Sequence, residues 1–213
     1  MKHSKISTIL LISAAALTGF TMAGCNSMDH RNSASVTAAS DTEVGYIKLN
    51  TVLTSAIARL EALKDTSGSP DAYLTTIKSV QSSVHDEADN VATARVDLKA
   101  SGDKQVARMQ EESAKITNPD LSKDFVARSE KLRGYYNDYD KASASLGDYL
   151  AKGDTALNDA KVAVGANPSD AVIKMSQDSV SKAISAFKDA KGAIPDARKA
   201  LTTLREHQPV IVQ

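Results

Sequence analysis

Metal-ligating side chains are most closely spaced in residues 84–90, Val-His-Asp-Glu-Ala-Asp-Asn. On a helix, His85 and Asp89 would share one face, and Asp86 and Asn90 the next, because residues four apart are neighbours. A divalent cation needs three or four converging ligands, so a second helix would have to complete the site. The alternative is a charged, solvated helix surface, which such runs usually form. His85 and Asp89 are therefore candidate ligands, while we expect no bound metal and no cofactor.

The spacing patterns of common catalytic sites are missing from the sequence. No Glu is followed three residues later by a His, as the ferritin-like di-iron bundles require. Zincin spacing, Gly-rich phosphate loops and Gly-x-Ser-x-Gly elbows are also absent, and His207 has no evident partner. We therefore expect a protein that is not an enzyme. Basic and acidic residues balance at 26 each, so nucleic acid is not an expected partner either.

Tyr135, Tyr136 and Tyr139 form the one aromatic cluster in the sequence. Tyr136 and Tyr139 fall on the apolar seam of a predicted helix, so one interpretation is a bulky core layer with hydroxyl groups at its rim. The other is a contact patch for a partner, since Tyr is enriched in interfaces. Tyr135 points away from the seam and is the better candidate for such a patch.

The N-terminal residues have the pattern of an export signal. Lys2 and Lys5 precede an apolar run over residues 6–20, which is shorter than the ~20 residues that a membrane-spanning helix needs. Cys25 follows shortly after and is the only cysteine, so it cannot form an internal disulfide.

The four residues that end at Cys25 resemble the lipobox of bacterial lipoproteins, in which small residues precede an invariant cysteine. They read Met22-Ala23-Gly24-Cys25. The resemblance implies that residues 1–24 are removed as a signal peptide and that the Cys25 thiol receives a diacylglycerol, which would anchor the chain in a lipid bilayer. The alternative is an ordinary secretory signal with an incidental cysteine, or an uncleaved anchor.

The residues after Cys25 bear on where such an anchor would lie. In enteric-type bacteria an Asp at this point is the usual signal for retention in the inner membrane, whereas Asn26 and Ser27 stand here. We therefore expect an exported, lipid-anchored protein. It would lie on the periplasmic face of the outer membrane if the source has two membranes, and otherwise on the cell surface.

The rest of the chain divides into a tether, a helical bundle and a tail. Residues 25–40 are the lipidated cysteine and a small, polar segment without apolar periodicity, which predicts a flexible tether. Residues 41–207 have helical periodicity, and 208–213 form a loose tail. The predicted helices cover residues 42–66, 70–117, 119–164 and 168–206.

Three proline-containing stretches predict where the long helices begin. They are Ser69-Pro70-Asp71, Asn118-Pro119-Asp120 and Asn167-Pro168-Ser169-Asp170. In each, Ser or Asn would cap the helix, Pro would take the first helical position, and an acid would face the positive helix end. Pro195 instead falls within the last helix and predicts a kink near residues 190–194.

Apolar and small residues recur along these segments at alternating steps of four and three, close to the coiled-coil period of ~3.5 residues. Short connections require neighbouring helices to run antiparallel. The sequence therefore predicts an all-α, elongated antiparallel bundle of three long helices and one shorter N-terminal helix.

The order of Ser129, Glu130, Leu132 and Tyr136, after the break at Asn118, resembles an uncharacterised family of bacterial helical envelope proteins. The similarity extends over about residues 41–194 and implies the fold but no activity. The expected function is that of a membrane-anchored envelope lipoprotein acting as a non-catalytic helical spacer or protein-interaction module. Its partner would be another protein or a second copy. The alternative is a helical bundle that binds a metal ion or a small apolar ligand.

Overall fold

The computed structural model describes residues 26–65 and 69–208. They form four α-helices: α1 (Asn26–Asp65), α2 (Pro70–Ser113), α3 (Pro119–Ala166) and α4 (Asp170–His207). Each helix packs against the next in the chain, and α1 also packs against α4, which closes the ring. The expected all-α, antiparallel bundle is confirmed for this part of the chain. Residues 1–24, Cys25 and residues 209–213 lie outside it.

The starts of α2 and α3 are those that the proline-containing stretches predict. The Ser69 hydroxyl accepts a hydrogen bond from the Ala72 backbone N–H at 3.3 Å. Asn118 Oδ1 accepts from the backbone N–H groups of Asp120 and Leu121 at 3.0 and 3.2 Å. Pro occupies the start of both helices, where a missing N–H breaks no helical hydrogen bond.

The predicted start of α4 is wrong by two residues. Ser169, rather than Asn167, is the N-cap, and its hydroxyl accepts from the Val172 backbone N–H at 3.4 Å. Pro168 therefore lies before the helix, and Asp170 is the first helical residue. Two cap-forming side chains flank Pro168, and sequence alone does not decide between them.

The prediction of a shorter first helix preceded by a flexible tether is also wrong. The helix α1 has 40 residues and begins at Asn26, whereas α4 has 38 residues. Ser35, Ala38 and Ala39 are buried, so the second half of the predicted tether packs against the bundle. Small and polar residues are typical of a linker, but here they let α1 pack closely against the bundle.

The core is a single column of buried side chains along the bundle axis. In α4 it alternates between small and large residues, as in Ala183, Phe187, Ala190 and Ile194. Glycine provides space at two close approaches: a Cβ on Gly102 would lie 2.4 Å from the Tyr136 ring, and one on Gly153 would lie 2.3 Å from the Phe187 ring. These contacts hold α2 against α3 and α3 against α4.

The last helix is continuous through Pro195, which is exposed. The kink expected there stays a prediction. The helix ends at His207, and Gln208 has an extended conformation, with φ −66° and ψ 136°. Pro209 accounts for this, because the residue before a proline is driven out of the helical region.

Two glycines of α3 give a matched test of the packing. Gly153→Ala should lower the free energy of unfolding by about 1–2 kcal/mol, because the added methyl group overlaps the buried Phe187 ring. Gly147→Ala should raise it by ~0.5–1 kcal/mol, because nothing lies within 4 Å of the added Cβ and alanine favours a helix. Chemical denaturation followed by circular dichroism measures both. Equal stabilisation by the two substitutions would contradict the tight contact at Gly153.

Candidate functional site

A small set of buried polar side chains forms hydrogen bonds between helices across the core. Tyr46 of α1 and Tyr139 of α3 are diagonal partners, and their hydroxyl oxygens are 2.9 Å apart. Tyr46 is fully buried and Tyr139 is 3% exposed, so this hydrogen bond is shielded from water. A hydrogen bond in such surroundings is costly to break, because each hydroxyl would be left without a partner.

Arg95 of α2 borders this tyrosine pair from the side. Its guanidinium donates to the Ser143 carbonyl at 3.3 Å and to Asp140 Oδ1 at 3.2 Å. Burial raises the pKa of both Tyr46 and Tyr139, and the Arg95 charge opposes part of that rise. Both phenols therefore stay protonated at neutral pH, which makes them hydrogen-bonding groups rather than nucleophiles or bases.

A second network connects all four helices through buried side chains. Tyr136 donates to Gln105 Oε1 at 3.2 Å and accepts from Gln208 Nε2 at 2.9 Å. Ser35 of α1 also donates to Gln105 Oε1, at 3.4 Å. Gln208, which was expected to belong to a loose tail, is only 5% exposed. The network thus fixes both the first part of α1 and the end of α4.

A third buried hydrogen bond lies toward the opposite end of the bundle. The Ser176 hydroxyl donates to the Ile173 carbonyl at 2.8 Å, so its oxygen is the acceptor for the Tyr73 hydroxyl at 2.7 Å. This bond joins α2 to α4, the other diagonal of the ring. Each diagonal is therefore bridged by a tyrosine hydroxyl, and the three contacts together resist sliding of one helix past another.

The predicted tyrosine cluster divides between core and surface. Tyr136 and Tyr139 lie in the core, as the first interpretation has it, and in this fold they present no contact surface. Tyr135 is half-buried and stacks on His207, with ring centroids 4.1 Å apart. His207 Nδ1 is 2.8 Å from the Thr203 carbonyl oxygen. The tyrosine that could contact a partner is thus part of the packing at the end of α4.

The candidate metal ligands form an exposed pair. His85 Nε2 lies 3.3 Å from Asp89 Oδ2, with both side chains about 70% exposed. Within residues 26–65 and 69–208, no three His, Cys, Asp or Glu side chains come together as a cation site. The pair therefore has the geometry of a surface ion pair between residues one helical turn apart.

Two shallow grooves lie on the outside of the bundle. One lies between α1 and α2, and the other lies between α3 and α4 beside Tyr149. Alanine, threonine and aspartate line both, with an asparagine in the first groove and serine, lysine and Tyr149 in the second. A small apolar ligand is usually held in an enclosed, mainly apolar pocket with few polar groups, which neither groove offers.

Sequence reasoning missed the four-helix network. Ser35 was assigned to the tether and Gln208 to the tail, and Gln105 was not placed on the seam. A polar residue at a seam position is the signal that could have found Gln105. Ser35 and Tyr136 are 70 and 31 positions from Gln105 in the sequence, and Gln208 is 72 positions from Tyr136, so no local pattern reveals these contacts.

Cys25, the residue with the most specific sequence signal, lies outside the described residues. It directly precedes Asn26, the first residue of α1. No helix in the described ranges is both long enough and apolar enough to cross a membrane. Comparison with protein-family models, curated proteins and solved structures finds no match for this chain.

The buried tyrosines predict a loss of stability at high pH. Below pH ~10 the folded and unfolded chains both keep the phenol protons. Above it the unfolded chain loses them first, because burial raises the folded-state pKa of Tyr46 and Tyr139. The free energy of unfolding should then fall by up to ~1.4 kcal/mol per pH unit for each such tyrosine.

Tyr139→Phe isolates this effect from the titration of lysine and arginine. The variant should be less stable at neutral pH by about 1–3 kcal/mol, because Tyr46 loses its partner. Its stability should fall less steeply above pH ~10 than that of the unsubstituted protein. Denaturant titrations across this pH range measure both slopes, and identical slopes would contradict the assigned role of the Tyr139 proton.

Proposed function

We propose that this chain is a lipid-anchored protein of the bacterial cell envelope, which acts as a non-catalytic helical spacer or protein-interaction module. The observation that carries the proposal is the sequence Met22-Ala23-Gly24-Cys25, followed at once by the first residue of α1. A diacylglycerol on Cys25 would hold the bundle at a membrane through ~0.8 kcal/mol per buried methylene group.

The shape of the bundle supports a role as a spacer. Helices of 38 to 48 residues are ~57–72 Å long, so we propose an elongated, coiled-coil-like rod. Cross-core hydrogen bonds at Tyr46, Tyr136 and Tyr73 oppose sliding between its helices. Such a rod can hold a partner at a set distance from a membrane.

The proposed location follows from the residues after the cysteine. Asn26 and Ser27 do not form the usual retention signal for the inner membrane. The outer membrane, facing the periplasm, is therefore the proposed site in a source with two membranes, and the cell surface in a source with one. The lipid bilayer is the first partner, and a second protein or another copy of this chain is the second.

Substitution of the proposed lipid-bearing residue tests the anchor. Cys25→Ser should move the protein from the membrane fraction to the soluble fraction, because no thiol remains to accept the diacylglycerol. Cell fractionation followed by immunoblotting measures the distribution, and mass spectrometry of the unsubstituted protein measures the added lipid. Ser27→Cys, placed outside the lipobox in the Cys25→Ser background, is the matched control and should stay soluble. Retention of Cys25→Ser in the membrane would contradict the proposal.

Photocrosslinking in living cells distinguishes a spacer from an interaction module. Met175 is 78% exposed and lies near the start of α4, at the end of the bundle away from Asn26. A photoreactive residue at this position should give one adduct of defined mass if the far end holds a protein partner. The adduct should disappear in the Cys25→Ser background, where the anchor is lost. An adduct that persists there would show contact without anchoring and would contradict the proposed module.

A further inference from the structure

One end of the bundle has three helices instead of four. Gln208, at the end of α4, donates to the Tyr136 hydroxyl, and Tyr136 is 17 residues after Pro119, the first residue of α3. At 1.5 Å per residue, α3 extends ~25 Å beyond the end of α4. Within residues 26–65 and 69–208, only α1 and α2 lie beside this extension. The end of α2 is level with Ser122 of α3, because the Ser122 hydroxyl donates to the Ser113 carbonyl at 2.9 Å.

The same end carries the beginning of α1. Ser35 of α1 is level with Gln105 of α2, because their side chains are hydrogen-bonded. From this level α1 extends ~13 Å back to Asn26, and α2 extends ~12 Å on to Ser113. Asn26 therefore lies close to the level of Ser113, where α2 ends and the turn to α3 begins.

The core face of α3 becomes exposed toward this turn. Leu132, Phe125 and Leu121 are spaced by seven and four residues, so they lie along one side of the helix. Leu132 is 3% exposed, Phe125 is partly buried and Leu121 is 39% exposed. Ile116, in the turn itself, is also only partly buried. The apolar seam thus continues past the end of α4 with decreasing cover.

We propose that this end is a membrane-contacting foot, formed by Ile116, Leu121, Phe125 and Val126, whose partner is the lipid surface that holds Cys25. The inference rests on the proposed lipid anchor. An acylated Cys25 would bring lipid headgroups toward the turn, where Leu121 and Val126 are 39% and 36% exposed. The foot would seat the rod upright rather than leave it to lie along the membrane.

The charges around the foot favour apolar contact over attraction to anionic lipid. Lys115 pairs with Glu112 at 3.0 Å, and Arg128 pairs with Asp124 at 2.7 Å. Asp120 adds a negative charge in the first turn of α3. With Lys123, residues 112–128 carry three acidic and three basic side chains, so their charges cancel and the contact should depend weakly on salt.

Residues 209–213, Pro-Val-Ile-Val-Gln, are a competing cover for the same face. This segment follows Gln208 directly, so its deletion tests it as an alternative cover.

The foot is too small to bind a membrane without the anchor. Ile116 and Phe125 are partly buried and only Leu121 and Val126 are exposed, so little apolar area is available. The proposed anchor would make even this weak contact form, because a tethered contact acts at an effective concentration in the millimolar range. The inference therefore predicts lipid contact in the lipidated protein and no vesicle binding by residues 26–213 alone.

Environment-sensitive labels at two matched turn positions test the foot. Thr117 and Ala166 are both exposed, and each precedes an Asn-Pro pair, at opposite ends of α3. Because lipidation consumes Cys25, Thr117→Cys and Ala166→Cys each create the one free thiol. The lipidated proteins, labelled with a fluorophore, are reconstituted into phosphatidylcholine vesicles that contain a nitroxide-headgroup phosphatidylcholine.

Quenching at residue 117 should exceed quenching at residue 166 severalfold. Adding Leu121→Asp to the Thr117→Cys protein should reduce the quenching to the level at residue 166, and circular dichroism of this variant verifies that it folds. Equal quenching at the two positions, in protein that stays with the vesicles, would overturn the foot but not the anchor. Failure of the unsubstituted protein to stay with the vesicles would overturn both.

Two further results would assign the face to another occupant. If the label at residue 117 is shielded without vesicles and becomes exposed on dilution, a second copy covers the face, and the inference is wrong. If it becomes exposed only when residues 209–213 are deleted, that segment is the cover, and the inference is again wrong. Vesicle-dependent quenching that survives this deletion supports the foot.

Discussion

The hydrogen bonds of Tyr136 define the register on which the rest of the bundle depends. Its hydroxyl contacts Gln105 of α2 and Gln208 at the end of α4, and Gln105 in turn accepts from Ser35 of α1. The Tyr136 ring lies against Gly102, so its position is fixed by packing as well as by polarity. A shift of any one helix by a single turn would leave buried polar groups without partners, which is costly in an apolar core.

This register gives the two ends of the rod different properties. At one end α4 stops level with Tyr136, while α3 continues for ~25 Å. At the other end, Ser176 and Tyr73 join α4 to α2 close to the turns. The beginning of α1 belongs to the open end, next to Cys25. Because α1 is helical from Asn26 onward, a lipid on Cys25 would be coupled to the bundle without a flexible segment between them.

Local sequence signals predicted the helices, and contacts distant in sequence decided the rest. The capping hydrogen bonds at Ser69 and Asn118 each join residues three positions apart, so the starts of α2 and α3 can be predicted from the sequence. The start of α1 is not, because Ser35 is recognisable as a core residue only through Gln105, 70 positions away. A composition of Ser, Asn and Ala suits a linker and a close helix contact equally well. The sequence likewise does not predict that Gly102 packs directly against the Tyr136 ring.

The unequal helix lengths also explain why four helices pack together along most of the bundle while apolar residues of α3 are partly exposed at one end. Pro209 ends α4 because it keeps the backbone of Gln208 out of the helical conformation. The Gln208 side chain then donates a hydrogen bond to the Tyr136 hydroxyl at the end of the four-helix region. Between Pro119 and Tyr136, α3 keeps apolar residues at the spacing that would pack against α4. In the described part of the chain, only α1 and α2 lie beside it there. A core face without its partner helix is unfavourable in water and favourable against any apolar surface. Since Asn26 lies at this end of the bundle, the proposed lipid on Cys25 would supply such a surface.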